Sequence, residues 1–127
     1  MKYNSDFRYD LRRGQDAEKW LGGKLEANDI EVKRDFKAKK TKRVFIEYRC
    51  SGKDSGIMTS EADYWAFVLD GGLVIMLPTE SVRKITLQAI EKNKVMPGGD
   101  SNRARGALVD IRDLVQEAIE IEKLTPE

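Results

Sequence analysis

Two acidic residues and one arginine stand in neighbouring segments of the chain that have the pattern of β-strands. Asp35 closes the first segment, and Glu47 and Arg49 close the second. Two carboxylates beside a cation are costly to bring together unless a divalent metal ion neutralises the acids. The three residues therefore indicate metal-assisted chemistry.

Both segments alternate apolar and polar residues with a period of two, as half-buried strands do. The apolar positions are Ile30, Val32, Val44, Ile46 and Tyr48. If the two strands pair as a hairpin, their polar side chains share one face or one end of it, so that Asp35, Glu47 and Arg49 can converge. A surface hairpin with ordinary solvated acids has the same pattern.

The connector between the two segments is strongly basic. Seven of the eleven residues from Lys33 to Arg43 are Lys or Arg. This density of positive charge suits a phosphate backbone, although charge runs are also normal on solvated turns. Because the whole chain has a net charge of only +1, a nucleic-acid site must come from this local clustering.

The residue types exclude several kinds of chemistry. The chain has one cysteine, Cys50, and no histidine. An intrachain disulfide is therefore excluded, structural zinc is disfavoured, and neither Ser-His-Asp nor Cys-His catalysis is available. Oxygen ligands for a hard cation remain.

Length and composition predict one soluble domain, residues 1–127. A chain of 127 residues, of which 40% are hydrophobic, can bury a core without covalent crosslinks. No apolar run approaches the length of a membrane span, and the first residues contain no apolar signal segment. We expect a cytoplasmic protein without a membrane partner.

Periodicity predicts the elements that surround the two strands. Ala17, Leu21 and Leu25 recur every four residues and predict an amphipathic helix over 13–26, where Glu18 borders the apolar stripe. A short helix through residue 65 is predicted next, capped by Thr59 and Ser60, and Asp63 either complements its dipole or serves the site. A hairpin over 67–77 and a helix after Pro78, capped by Thr79, follow it. The remaining predicted elements are a loop over 96–100, a strand over 107–109 and a helix from residue 110. The expected fold is α/β (α+β), with a central mixed sheet of about five strands flanked by helices.

These residues carry a resemblance to a known family. Asp35, the spacer and the triplet Glu47-Tyr48-Arg49 resemble the acidic motif of the PD-(D/E)xK nuclease superfamily, which includes restriction endonucleases and Holliday-junction resolvases. The order of the surrounding segments 14–18, 55–57 and 62–65 is similar to that of the small single-domain nucleases of this superfamily found in phage genomes. The resemblance covers residues 10–110.

The resemblance implies a restriction-endonuclease-like core and a metal-dependent deoxyribonuclease that acts in DNA recombination, repair or processing. It implies Mg²⁺ or Mn²⁺ as the cofactor, DNA as the partner, a location in the host cytoplasm if the chain is phage-encoded, and compatibility with a homodimer. The implied catalytic residues are Glu18, Asp35, Glu47 and Arg49. The implied metal ligands are Asp35, Glu47, the carbonyl of Tyr48, and Glu18 at a second ion or a metal-bound water. The expected DNA contacts are Lys33, Lys37, Lys39, Lys40, Lys42, Arg43, Lys53 and Ser55.

The chain departs from the family pattern at one position. The family usually has lysine where this chain has Arg49. Arginine remains protonated in proteins, so Arg49 cannot act as a general base, although it can orient phosphate and stabilise a transition state. Lys33 and Lys53 are the candidates to replace the missing lysine, and the sequence does not choose between them.

This departure leaves three functional classes open. The first is the metal-dependent nuclease, and the second is a nuclease-fold module that binds DNA or assembles with partners but cleaves poorly. The third is a protein-interaction domain that uses its edge strands. Metal-dependent cleavage separates the first class from the second, and salt-dependent DNA binding separates both from the third.

Overall fold

The computed structural model describes residues 16, 18–23, 25–34, 41–69 and 71–124. Its strands are β1 (Ile30–Arg34), β2 (Arg43–Cys50), β3 (Lys53–Asp54), β4 (Tyr64–Val68), β5 (Val74–Pro78), β6 (Val95–Gly98) and β7 (Ala104–Asp110). Its helices are α1 (Thr79–Glu91) and α2 (Ile111–Leu124), with single 3₁₀ turns at Gly56–Met58 and Asp100–Asn102. Residues 18–23 and 25–27 are also helical and form the N-terminal helical segment.

The strands form two sheets, one of three strands in the order β1-β4-β5 and one of four in the order β3-β2-β7-β6. β1 and β4 are parallel, and every other pairing in the two sheets is antiparallel. The mixed α/β class is therefore confirmed. The described residues form seven strands in two sheets, whereas the sequence predicts one sheet of about five strands.

Both sheets contribute to a single hydrophobic core, together with α1 and α2. The largest fully buried side chains include Ile46 from the four-stranded sheet, Trp65 and Phe67 from the three-stranded sheet, Val82 from α1 and Leu114 from α2. On β2, Val44 and Ile46 are each 1% exposed, which confirms the face that alternation assigns to the core. The sheets consequently pack around common helices.

The predicted hairpin between the two acidic segments is wrong. β1 pairs along its whole length with β4, and β2 pairs with β3 and β7. Three hydrogen bonds fix the start of the pairing between β1 and β4. The Asp29 carbonyl accepts hydrogen bonds from the N–H groups of Asp63 and Tyr64, and the Asp29 N–H donates to the Asp63 carboxylate at 2.9 Å. This pairing joins residues far apart in sequence, which strand periodicity cannot predict.

The segment before β4 is a strand entrance, so the predicted short helix at residues 60–65 is also wrong. Ser60 Oγ accepts hydrogen bonds from the Ala62 N–H and from the indole N–H of Trp65, at 3.3 and 3.0 Å. Trp65 is 2% exposed, and a buried indole N–H needs such an acceptor. Ser60 therefore satisfies a core side chain and Asp63 holds β1; neither serves a helix terminus.

The elements predicted from residue 67 onward are partly confirmed. The 67–77 hairpin is confirmed by β4 and β5, the last strand by β7, and the final two helices by α1 and α2. Thr79 is the first residue of α1, and its hydroxyl donates to the Ala62 carbonyl at 2.6 Å without capping the helix. The predicted loop over 96–100 is largely β6, because its backbone pairs with β7.

The N-terminal helical segment confirms a helix but not its burial. Leu21 and Leu25 are 43% and 49% exposed, so the apolar stripe does not face the core in the described structure. Ala17 lies outside the described residues. Within the described ranges, no helix combines the length and apolarity that crossing a membrane would require.

The turn that follows β3 lies directly against the backbone of β2. Gly56 has a φ of +55°, and a Cβ added there would be 2.1 Å from the carbonyl oxygen of Glu47. Only glycine allows both this left-handed conformation and this approach. The next residue, Ile57, is fully buried, so the turn is anchored in the core beside Glu47.

We expect Gly56→Ala to lower the free energy of unfolding by about 3 kcal/mol, because it adds a backbone clash to left-handed strain. Gly52 is the matched control: its φ is +79°, but a Cβ there meets nothing within 4 Å. Gly52→Ala should cost about 1 kcal/mol. Urea denaturation of both variants measures the difference, and equal losses would contradict the close approach at Gly56.

Candidate active site

A cavity of about 230 Å³ lies where β1, β2, β4 and the turn after β3 meet, and it is lined by Lys33, Phe45, Glu47, Gly56 and Trp65. Lys33 comes from the three-stranded sheet and Glu47 from the four-stranded sheet. Two oppositely charged residues predicted from sequence thus border one space, although their strands do not pair with each other. We call this space the Glu47 cavity.

The ammonium of Lys33 is held at the cavity by two neighbours. Its Nζ atom is 2.9 Å from a carboxylate oxygen of Glu31 and 5.3 Å from the ring centroid of Trp65. The side chains of Lys33 and Glu31 are 48% and 46% exposed, so the ion pair contributes little stability, but pair and ring together restrict the ammonium. Lys33 is therefore available to an anion that enters from solvent.

Glu47 lies at an irregularity in β2 that alters the strand's alternation. Glu47 pairs with Gly106 and Arg49 pairs with Arg105, so Tyr48 has no partner on β7. This extra residue makes a β-bulge, and bulges redirect the side chains that follow them. Tyr48 packs against the core, and its carbonyl accepts a hydrogen bond from the Ser55 N–H at 3.1 Å. The predicted ligand carbonyl of Tyr48 is thus already used once, with one lone pair remaining.

Arg49 follows the bulge, and it is not among the residues that line the Glu47 cavity. Its guanidinium is 4.0 Å from the carboxylate of Asp54, and both side chains are more than half exposed. Arg49 is directly opposite Arg105 on β7. Two like charges on paired strand positions repel each other, and a contact at 4.0 Å with an exposed acid compensates weakly. An anion such as phosphate would relieve that repulsion.

The turn beside Glu47 is also held from the opposite side, by α1. Arg83 donates hydrogen bonds from Nε to the Ile57 carbonyl and from one terminal nitrogen to the Ser60 carbonyl, each at 3.2 Å, and its other terminal nitrogen pairs with Glu80. The Arg83 side chain is 23% exposed, so these bonds are partly shielded from water. Arg83 is a positioning residue for the cavity wall that sequence reasoning missed.

The other predicted site residues are not gathered at the cavity. Glu18 is exposed on the N-terminal helical segment, and Lys53 is exposed on β3 opposite Cys50. Lys42 and Arg43 are exposed at the start of β2. The hydroxyl oxygen of Ser55 is buried and has no hydrogen-bond partner among the described residues, so this conformation does not present it to DNA. The remaining predicted residues, Asp35, Lys37, Lys39 and Lys40, lie outside the described part of the chain.

Of Lys33 and Lys53, the two candidates to replace the family's lysine, the structure favours Lys33. Lys33 shares the cavity with Glu47, whereas Lys53 does not line it. Phe45 and Trp65 are cavity residues that sequence reasoning missed. The sequence contained a signal for Phe45, because it is an aromatic residue on the polar face of an alternating strand. It contained no signal that Arg105 would pair with Arg49.

The carboxylate oxygens at the site supply only part of the ligands that a hard cation needs. In the described ranges, no group of three or more Asp, Glu or Cys side chains comes together. Mg²⁺ needs fewer protein ligands, since it is commonly held by one or two carboxylates with waters and substrate phosphates. Glu47 can supply one carboxylate, and Asp35, two residues beyond Lys33 in the sequence, is the second one that the resemblance implies.

In comparisons with known proteins, no protein-family model, no curated protein and no solved structure matches this chain.

The paired arginines generate a prediction about stability. A double-mutant cycle with Arg49→Gln and Arg105→Gln should give an unfavourable coupling of about 0.2–1 kcal/mol at low salt, because each variant removes the same repulsion. High salt or added inorganic phosphate should reduce that coupling by screening or bridging the charges. Urea denaturation of the four proteins measures it, and a favourable or absent coupling at low salt would show that the guanidinium groups do not repel each other.

Proposed function

We propose that this protein is a metal-dependent deoxyribonuclease and that the Glu47 cavity is its active site. The observation that carries the proposal is the meeting of Lys33 and Glu47 at one cavity with a half-exposed ammonium at its border. A carboxylate that can bind a hard cation and a lysine that can contact phosphate are the groups that phosphodiester hydrolysis needs close together.

Each residue has a separate task in this proposal. Glu47 would hold the metal ion through its carboxylate, with Asp35 as the second protein ligand that the resemblance implies. Lys33 donates hydrogen bonds to a non-bridging oxygen of the scissile phosphate, where negative charge increases during hydrolysis. Arg49 and Arg105 contact a neighbouring phosphate, which relieves the repulsion between their guanidinium groups.

A bound Mg²⁺ or Mn²⁺ ion would activate water and stabilise the charge on the phosphate and the leaving oxygen. The turn at Gly56 and the indole of Trp65 line the cavity together with Glu47 and Lys33, and the half-exposed Lys33 side chain is a point at which DNA would reach it.

A second candidate is a DNA-binding or assembly module of the same fold that cleaves poorly. The position of Arg49 favours it, since the residue that replaces the usual lysine lies beside Asp54 and Arg105 and away from the cavity. In that case phosphate contacts remain and turnover is slow. The two candidates differ in cleavage and agree in DNA binding.

The nuclease proposal predicts DNA cleavage that requires Mg²⁺ or Mn²⁺. Glu47→Gln and Asp35→Asn should abolish it while the protein stays folded, because each removes a charged ligand and little volume. Lys33→Met should reduce kcat by about 10²–10³, the usual cost of one donor to a transition-state oxyanion. Gel assays on single-stranded, linear duplex and branched DNA measure these rates.

Lys53→Met is the matched control for Lys33→Met, since Lys53 does not line the cavity, and it should leave kcat nearly unchanged. Cleavage without a divalent ion, or none on any substrate with either ion, would refute the nuclease proposal. If DNA still binds in the second case, the module is the better description.

The basic connector predicts a strong salt dependence. Replacing Lys39, Lys40 and Lys42 with alanine should weaken binding to all DNA sequences alike, because phosphate contacts carry no sequence information. The slope of log affinity against log salt should become shallower by about 0.9 for each duplex phosphate that the variant no longer neutralises. Fluorescence anisotropy over a salt series gives the slope. An unchanged slope would move the contact surface to Lys53, Arg103 and Arg105.

A further inference from the structure

A basic depression of about 550 Å³ lies at one end of the four-stranded sheet, and Arg43 and Lys94 supply its positive charge. Arg43 is the first residue of β2, Lys94 directly precedes β6, and β7 lies between these two strands. The other lining residues are Thr41, Asn93, Val95, Leu108 and Asp110. Cations from two separate segments therefore border one space, which we call the Arg43–Lys94 depression.

Hydrogen bonds fix the main chain beneath both cations. The Lys94 carbonyl accepts from the Leu108 N–H at 2.8 Å, and the Lys94 N–H donates to the Ala89 carbonyl at 2.9 Å. The hydroxyl of Thr41 accepts from the Arg43 N–H at 3.2 Å and donates to the Arg43 carbonyl at 3.1 Å. The two side chains consequently extend from fixed points of the backbone.

One carboxylate, that of Asp110, also lines the depression. It is 3.8 Å from the ammonium of Lys94, and the two side chains are 43% and 47% exposed. An ion pair this exposed contributes little, so Lys94 can exchange Asp110 for another anion. Arg43 is opposite Asp110 in the strand register but forms no ion pair with any residue in the described ranges. Two cations and one acid leave the depression positively charged.

The depression lies on the same face of β2 as Glu47. Val44 and Ile46 are each 1% exposed and belong to the core face, so Arg43 and Glu47 both belong to the opposite face. Four residues separate Arg43 from Glu47, which corresponds to roughly 13 Å along a strand. A DNA backbone with one phosphate at the Glu47 cavity could therefore bring another phosphate to the depression.

The part of this face between the two places is apolar. A Cβ added at Gly98 or Gly106 would be 2.7 or 2.2 Å from ring carbons of Phe45, so the ring lies on the bare backbone of β6 and β7. Phe45 has no charge that could bind a phosphate. The cations are thus divided into two groups, with Lys33 at the Glu47 cavity and Arg43 with its partner lysine at the depression.

We propose that the Arg43–Lys94 depression binds a second phosphate of the DNA whose scissile phosphate lies at the Glu47 cavity. Arg43 donates hydrogen bonds to it from the guanidinium, and Lys94 leaves Asp110 to donate from its ammonium. The inference rests on the proposed function and deepens it, because two phosphate contacts at a fixed separation hold the DNA backbone in one register over Glu47. Phosphate contacts position DNA without reading its sequence.

Binding of a fluorescein-labelled DNA hairpin with a single-stranded arm tests the site on the full chain. Fluorescence anisotropy in EDTA prevents cleavage, so the result does not depend on nuclease activity. Arg43→Gln and Lys94→Gln should each weaken binding about tenfold, the loss expected for one charge-assisted hydrogen bond. Lys92→Gln is the matched control, because Lys92 is an exposed lysine two residues before Lys94 that does not line the depression. It should leave the affinity nearly unchanged.

Asp110→Asn should have the opposite effect and strengthen binding about threefold, the size of a half-exposed ion pair. The variant removes the acid that competes with phosphate for Lys94, and asparagine suits the position before a helix as well as aspartate does. If the pair of Lys94 with Asp110 were only structural, the variant would lower stability in urea and leave DNA affinity unchanged.

Hairpins in which one phosphate at a time is replaced by an uncharged methylphosphonate give the decisive comparison. The wild-type protein should lose affinity at one position that becomes insensitive in both Arg43→Gln and Lys94→Gln, since the two side chains bind the same phosphate. Lys33→Met should abolish the loss at a different position, because Lys33 lies at the Glu47 cavity. Each variant reports separately, so the scan remains informative if one of them does not fold.

Equal weakening by Lys92→Gln and Lys94→Gln would overturn the site, because the attraction would then be diffuse. So would a scan in which Arg43→Gln and Lys94→Gln act on different phosphates or on none. Failure of the nuclease proposal appears elsewhere, as absent cleavage with Mg²⁺ and Mn²⁺. A shared phosphate position without cleavage would support the depression as a DNA site and reject the nuclease.

Discussion

The parallel pairing of β1 with β4 is the constraint on which the candidate site depends. Asp29 and Asp63 begin that pairing through backbone bonds and one carboxylate contact, and every residue of β1 then has a partner on β4. The register places Lys33 opposite Phe67 and brings its ammonium over the ring of Trp65. A shift by one residue would move Lys33 to the other face of the strand and away from Glu47.

The wall that contains Glu47 depends on close packing of backbone. Gly56 permits the turn after β3 to approach the Glu47 carbonyl, and Ile57 anchors that turn in the core. Arg83 holds the same turn from α1 by bonds to two carbonyl groups. The carboxylate of Glu47 thus stands on a rigid support, which is what a site for a small, strongly coordinating cation requires.

Local charge governs what this protein can bind. A net charge of +1 gives the whole molecule little long-range attraction for an anion. Attraction must come from local groups such as the facing arginines on β2 and β7 and the basic run that ends at Arg43. The two facing arginines do not line the Glu47 cavity, so they and Lys33 act at separate places on the surface.

The sequence by itself determined the core face of β2, the hairpin over 67–77, the last two helices and the candidate status of Glu47 and Lys33, because alternation and turn chemistry are local properties. Alternation was wrong for the face of β1, where the apolar residue Val32 is 61% exposed. It failed where a partner was remote. Ser60 looked like a helix cap, and only the folded chain shows that its hydroxyl satisfies Trp65. Nothing local indicated that β1 would pair with β4, that Arg49 would face Arg105, or that Phe45 would lie on Gly98 and Gly106. The strand pairings join distant segments through main-chain bonds that every residue can make, and the packing of Phe45 follows from those pairings, so the tertiary structure alone decided them.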